Sequence, residues 1–340
     1  MQNEKNKIDL LSLYPHELSA HMQALGEPGY RGKQVFKWLH KGAKSGLEMT
    51  DLPAGLRNKL EFNLPEIIRR QVSEDGTQKL LWRLYDGETV ESVNISYKTG
   101  LTVCVSSQAG CRQGCAFCAS AIGGKVRDLS AGEMLAQVIH SGVPASHVVI
   151  MGIGEPLDNF DNTLRFLRLL NDPLGRNMSM RNMTLSTCGL VPGIERLADL
   201  ALPVTLSISL HAPDNALRDS LMPINKKYPL EKLIHSAEIY FDKTCRRISY
   251  EYVMIKDVND SAARAKQLAS LVGSGSSHVN LIPLNPVTGR GFEPSCPKRV
   301  KLFADVLRGL GIETTIRRRL GGDINAACGQ LRGCRGSPSG

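Results

Sequence analysis

From about residue 8 to residue 62, apolar positions recur at helical spacing. Leu10, Leu11, Leu13 and Tyr14 form one group, and Val35, Phe36, Trp38 and Leu39 another, with Gly26 and Pro28 as punctuation. The pattern predicts several short helices. Between about 78 and 97 it turns extended, with Lys79–Tyr85, a turn at Asp86-Gly87, and Val90–Tyr97. Asp-Gly between two strand-like runs is a hairpin signal. Further on, strand-like runs at 101–106, 147–152, 182–187, 203–209, 247–254, 278–284 and 312–316 alternate with helix-like stretches. The latter lie at 130–141, 162–170, 230–241, 261–272 and 298–310. Ser130 with Glu133 makes a capping-box pattern at the first of them, and Gly311 is a stop signal after the last.

Repeated β-α units predict the α/β class, with a parallel sheet that is open or curved into a partial or full barrel. Barrels carry their chemistry at the carboxyl ends of the strands. Polar and cysteine residues follow the strand ends here: Cys111, Gly154-Glu155, Ser186, Ser209-Leu210-His211 and Asn285. The expected organisation is a small helical accessory domain over 1–85, with a hairpin linker to about 97. A catalytic core over 98–334 follows, then a flexible or RNA-docking tail over 335–340.

Composition narrows the class. Hydrophobic content of 42% and charged content of 22% are ordinary for a globular protein. No apolar run has the length of a membrane span, and the first residues lack the apolar core of a signal peptide. The expected address is the cytoplasm, where nine unevenly spaced cysteines stay reduced and serve cofactor chemistry. Lys and Arg outnumber Asp and Glu by 16 to 8 in residues 241–340, against 26 to 25 before them. The excess, including Arg317–Arg319, Arg332 and Arg335, suits a polyanion such as RNA, although a solvated basic face has the same composition.

Cys111, Cys115 and Cys118 form a C-x₃-C-x₂-C triplet in one short loop. A cubane iron–sulfur cluster normally takes four cysteines, one per iron, so three leave one iron open. The alternative is a structural zinc site with a borrowed fourth ligand such as Cys104, although zinc sites usually bring two separated ligand pairs.

The triplet after the first strand of the core, with Met151-Gly-Ile-Gly-Glu-Pro-Leu157 some 36 residues later, resembles the radical S-adenosylmethionine (SAM) superfamily. Cys104–Cys111, Ser186-Thr-Cys-Gly, Ser209-Leu-His-Ala, Leu221–Asn225, Asn280–Pro286 and Gly322–Gln330 narrow the resemblance to the RlmN/Cfr family, over about Tyr30 to Leu331. These enzymes methylate a ring carbon of adenosine in ribosomal RNA, and some also in transfer RNA.

The resemblance implies a partial (β/α) barrel and a [4Fe-4S] cluster on Cys111, Cys115 and Cys118, with SAM chelating its open iron. SAM contacts carry over to Gly154, Glu155, Ser186, Ser209, Leu210, His211 and Asn285, and Phe117 takes the place of an aromatic beside cluster and adenine. One SAM methylates Cys328. A second, cleaved by an electron from the cluster, yields a radical that takes hydrogen from that S-methyl group, and the carbon radical adds to adenine. Glu91 then serves as proton acceptor, and Cys104 resolves the RNA–protein adduct through a disulfide. The implied partners are 23S ribosomal RNA, transfer RNA and a flavodoxin- or ferredoxin-type electron donor, with the protein acting as a monomer. Gly-Glu-Pro at 154–156, where a resistance-associated branch tends to carry Gly-Glu-Ala, favours carbon 2 over carbon 8. Arg317–Arg319 are expected to grip phosphate, and the N-terminal helices to hold RNA. Cys188, Cys245, Cys296 and Cys334 are expected to be inert, buried thiols. A non-catalytic RNA-binding protein with a structural metal is the rival from another class.

Overall fold

The computed structural model describes residues 8–61, 63–273, 275 and 277–333. Three helices open the chain: α1 (Pro15–Ala24), α2 (Arg31–Lys41) and α3 (Ala54–Arg57). The strands β1 (Glu66–Val72), β2 (Gln78–Arg83), β3 (Thr89–Tyr97) and β4 (Gly100–Cys104) then run antiparallel to one another. A two-stranded ribbon, β5 (Gln108–Gly110) and β6 (Lys125–Asp128), frames the cysteine loop.

The β-α alternation follows. It runs through α4 (Ala131–Ile139), β7 (His147–Ile150), α5 (Phe160–Asn171), β8 (Met183–Thr187), α6 (Val191–Asp199) and β9 (Thr205–Ser209). It continues through α7 (Asn215–Leu221), α8 (Leu230–Thr244), β10 (Ile248–Met254), α9 (Ala262–Val272), β11 (Ser277–Pro283), α10 (Pro297–Gly309) and β12 (Glu313–Ile316). β4 and β7 to β12 are parallel neighbours in one ten-stranded sheet of order β1-β2-β3-β4-β7-β8-β9-β10-β11-β12. The sheet has free edges at β1 and β12, which agrees with the α/β partial barrel.

All seven strand-like runs of the core became strands at their expected places. They are legible because a parallel strand covered on both faces is apolar almost throughout, as in β10, where only Ser249 is less than buried. The Ser130–Glu133 capping box forms, with Glu133 N donating to Ser130 Oγ at 3.1 Å and Ser130 N to Glu133 Oε2 at 2.9 Å.

The expected boundary at residue 85 falls inside the β2–β3 hairpin. That hairpin is no linker: β1 to β3 extend the core sheet, and the helical unit ends before β1. The helices are also joined to the barrel by side chains. Ser130 Oγ donates to Asp9 Oδ2 at 2.5 Å, and Arg165 on α5 meets Glu17 on α1 at 2.7 Å. Gly132 permits that approach, since a Cβ there would lie 2.2 Å from Asp9 Oδ1. The expected tail over 335–340, and Cys334, lie outside the described residues.

Candidate active site

The cysteine loop leaves β5 at Gly110, whose φ of +75° and the 2.0 Å gap between an added Cβ and Gly124 O both require glycine. Three tethers fix the loop beyond it. Ala116 N donates to Leu221 O at the end of α7 (2.9 Å), Ala119 N to Gly329 O (2.7 Å), and Arg290 to Cys118 O (3.1 Å). All three partners therefore come from distant parts of the chain.

The three thiols line one cavity. Among the described residues no three His, Cys, Asp or Glu side chains are gathered around a single metal position, so the thiols share a wall rather than one point. Burial pushes Cys111 up to about 12, with Glu155 and Cys118 adding to it, and pushes Cys115 further in the same direction. Such thiols keep their protons in water and release them to a thiophilic metal. Three sulfurs sheltered in one loop match three corners of a cubane cluster. Cys104 is not their fourth partner, because it lies with Cys328 on a neighbouring cavity, and the zinc reading loses its borrowed ligand.

Gly154 and Glu155 line the cavity opposite, at the end of β7. At Gly154 the φ is +113°, and a Cβ would sit 2.7 Å from both Ser107 Oγ and Gln108 Cβ. Glu155 is buried; Cys188 N donates to its Oε2 at 2.7 Å and Leu157 N to its Oε1 at 3.1 Å. Burial raises its carboxyl above the ordinary range, and those donors pull it back.

Ser186, Ser209, His211 and Asn285 reach the same cavity from the ends of three other strands, β8, β9 and β11. His211 has φ +59°, and its Nδ1 accepts from Val253 N at 3.1 Å. Burial lowers its pKa to about 3, so the ring is neutral with its proton on Nε2. Phe117 packs edge-on against it at 4.9 Å and lines the cavity too. Leu210 does not line it; its carbonyl accepts from Arg218 Nε at 3.1 Å.

Cys328 lines both cavities, and Cys104 only the second. Asn285 Nδ2 donates to Cys328 O at 3.3 Å. Cys104 closes β4 opposite Val93 and is pushed up to about 12 by burial and the nearby Cys328, with Arg317 acting the other way. The eight described cysteines are free thiols, Cys104 and Cys328 included. Of those expected to be inert and buried, only Cys188 is buried; Cys245 and Cys296 are exposed.

Glu91 lines neither cavity. Its Oε1 meets Lys79 Nζ at 3.1 Å, and its Oε2 accepts from Arg332 N at 2.8 Å and Gly333 N at 3.2 Å. Its carboxylate thus clasps the segment just after Cys328.

Arg317 is not a surface phosphate grip. It turns inward to line both cavities, 3.9 Å from Glu251, and the Cys328 sulfur beside it strengthens its charge. Arg319 donates to Leu284 O at 2.5 Å, and it and Arg318 are the exposed members of the trio. Sequence reasoning missed Glu251, a buried carboxylate in the cavity that accepts from Ser207 Oγ (2.8 Å) and Asn280 Nδ2 (2.8 Å). The signal was an acid between tyrosines in an otherwise apolar strand.

Two family models match the chain: the Radical SAM superfamily over residues 105–268, and the ribosomal RNA large subunit methyltransferase N-terminal domain over 8–64. A probable dual-specificity RNA methyltransferase RlmN from Alkaliphilus oremlandii is 47% identical, covering 96% of this chain and 98% of that protein. The one from Lachnospira eligens is 48% identical over 95% of each. The chain belongs to the RlmN family of radical SAM RNA methyltransferases. A crystal structure of a radical SAM methyltransferase from Sphaerobacter thermophilus superposes with a TM-score of 0.93 at 42% identity, covering 96% of this chain and 99% of that one. Membership of the superfamily implies a [4Fe-4S] cluster and SAM, and the triplet is the donor set in the cavity that fits such a cluster.

Proposed function

We propose that this protein methylates carbon 2 of adenosine in 23S ribosomal RNA and in transfer RNA, with Cys328 as methyl carrier. The observation that carries the reading is the place of Cys328 at the junction of two cavities, one shared with the cysteine triplet and Glu155, the other with Cys104. When bound, the cluster and SAM supply a methyl cation equivalent and, by one-electron reductive cleavage, a hydrogen-abstracting radical.

The residues divide the remaining work. Cys111, Cys115 and Cys118 hold the cluster, while Gly154 lets SAM approach the backbone and Glu155 accepts from its ammonium. Ser186, Ser209, His211 and Asn285 orient it. The Cys328 thiolate takes the methyl group from sulfonium sulfur, and after loss of one hydrogen atom the S-methylene carbon adds to the electron-poor adenine carbon. Glu91, which clasps residues 332 and 333, would accept the ring proton as base, and the unpaired electron left on the ring would pass back to the oxidised cluster. The Cys104 thiolate then attacks Cys328 sulfur. An S–S bond forms as the C–S bond breaks, the carbon takes the electron pair and a proton, and the disulfide is reduced before the next cycle. Covalent catalysis of this kind divides one inaccessible substitution into feasible steps.

No helix among the described residues is long and apolar enough to cross a membrane. We place the enzyme in the cytoplasm as a monomer, served by a flavodoxin- or ferredoxin-type donor. The test is anaerobic reconstitution followed by incubation with SAM, a reductant and unmodified ribosomal or transfer RNA, with nucleoside mass spectrometry. About four irons per chain and 2-methyladenosine are expected. 8-Methyladenosine would reassign the position of attack. A colourless zinc protein without product would leave only RNA binding.

A further inference from the structure

Arg218, on α7, is a fully buried guanidinium that the reaction above does not use. Four of its five N–H groups are taken, all by neutral oxygens. Nε donates to Leu210 O (3.1 Å), Nη1 to Asn225 Oδ1 (3.0 Å), and Nη2 to Cys188 O (2.7 Å) and Ser209 O (3.1 Å). It forms no ion pair among the described residues; Asp219 acts on it through space and is bonded instead to the Asn225 amide, which donates to Asp219 Oδ1 at 2.7 Å.

A buried charge without an opposite charge is costly, and carbonyl dipoles compensate it only in part. Burial accordingly draws this guanidinium down to about 10, against an ordinary value of 12.5, while Cys188 and Cys115 pull it back. The anion it lacks has an obvious source. Helix α7 lies directly under the cysteine loop: Leu221 O accepts from Ala116 N, and Leu217 and Leu221 pack in the same apolar cluster as Cys115.

We infer that Arg218 is the buried counter-charge of the cysteine-bound cluster and a positioning residue that makes its one-electron reduction easier. The inference rests on the triplet holding that cluster. A [4Fe-4S]²⁺ core on three thiolates carries one net negative charge. One electron from a low-potential reductant makes it two, so a fixed cation beside it favours the reduced form. Three of those four hydrogen bonds hold the ends of β8 and β9, where Ser186 and Ser209 stand. A purely structural pin would explain those bonds, but it predicts no dependence of the potential on charge.

The experiment is an EPR-monitored redox titration of the reconstituted, SAM-free protein with dithionite or titanium(III). Arg218→Gln should raise the oxidised-to-reduced ratio at a given potential about tenfold, which is about 59 mV for a one-electron couple. Arg218→Lys should fall between it and the unaltered protein. Asp219→Asn, which keeps the acceptor for Asn225 and removes a partly compensating carboxylate, should move the ratio the other way. Unchanged potentials at full iron content in Arg218→Gln would overturn the inference while leaving the proposed function standing. If Arg218→Gln does not fold or load, an unchanged potential in Asp219→Asn overturns it instead. Unaltered protein that binds no iron would sink the cluster assignment, and the inference with it.

Discussion

Asn285 holds the backbone of Cys328, its side-chain N–H reaching the cysteine carbonyl at 3.3 Å. One residue just beyond β11 thereby sets where the Cys328 sulfur, the proposed methyl carrier, stands between the two cavities. Replacing Asn285 by Ala removes the donor, and a single neutral hydrogen bond is worth about 1 kcal/mol. Alkylation of Cys328 by iodoacetamide should speed up roughly fivefold in that variant, read by site-resolved mass spectrometry to separate it from the exposed Cys245 and Cys296. An unchanged rate would mean the contact does not hold the sulfur.

Removing the two thiols of the second cavity should give different failures. Cys328→Ala should abolish methylation while retaining its iron and SAM-dependent spectral changes. Cys104→Ala should stop one step later and accumulate RNA covalently joined to protein, visible as a denaturation-resistant band. Multiple turnovers by Cys328→Ala would remove it from the pathway.

Gly154→Ala meets two barriers at once, a φ of +113° and neighbours at 2.7 Å. Left-handed backbone at a non-glycine residue costs about 1 kcal/mol or more, and the contact adds to it. Chemical denaturation should show a loss of roughly 2 kcal/mol, and SAM titration a weaker complex. A variant with normal stability and normal SAM affinity would contradict the packing described here.

Acid should act at the seam between the N-terminal helices and the barrel. His40 on α2 is buried with neither ring nitrogen hydrogen-bonded, and His140 ends α4 with Nε2 unpartnered. Burial lowers both to about 4, helped by Arg176 beside each and Lys44 beside His140. The unfolded chain binds these protons from about pH 6.5 downward, whereas the folded chain does not until about pH 4. Stability is therefore complete above pH 6.5 and falls as pH drops from 6.5 towards 4, by up to about 3 kcal/mol per ring. Denaturation midpoints across that range should flatten in His40→Phe; an unaltered slope would exclude His40 as the source.

The legible parts of the sequence were those where one physical demand dominated. Parallel strands read as apolar runs, and the residues at their carboxyl ends stood out because they break such runs with Gly, Ser, His or Asn. β1 was illegible because an exposed edge strand needs no apolar face, and Glu66–Val72 mixes Arg69 and Arg70 with Ile67 and Ile68. Helix α6 was not among the predicted helices, since Pro192 and Gly193 at its start are turn-type residues, although Gly193 is there because a Cβ would lie 2.8 Å from Leu157. Arg317 misled because composition cannot tell an inward guanidinium from a surface one. Glu91, Arg332 and Gly333 could not be joined from the sequence either, since more than 240 residues separate them.

The tethers of the cysteine loop also impose an order on how the protein is made. Ser120 donates to Leu331 O at 2.6 Å across 211 residues of chain, and Ala119 to Gly329 O. A growing chain emerges from the ribosome N-terminus first, so the three thiols are exposed long before the segment that braces them exists. The loop reaches its final shape only after the segment from Gly329 to Leu331 has been made, so iron meets a braced site only beyond that point of synthesis.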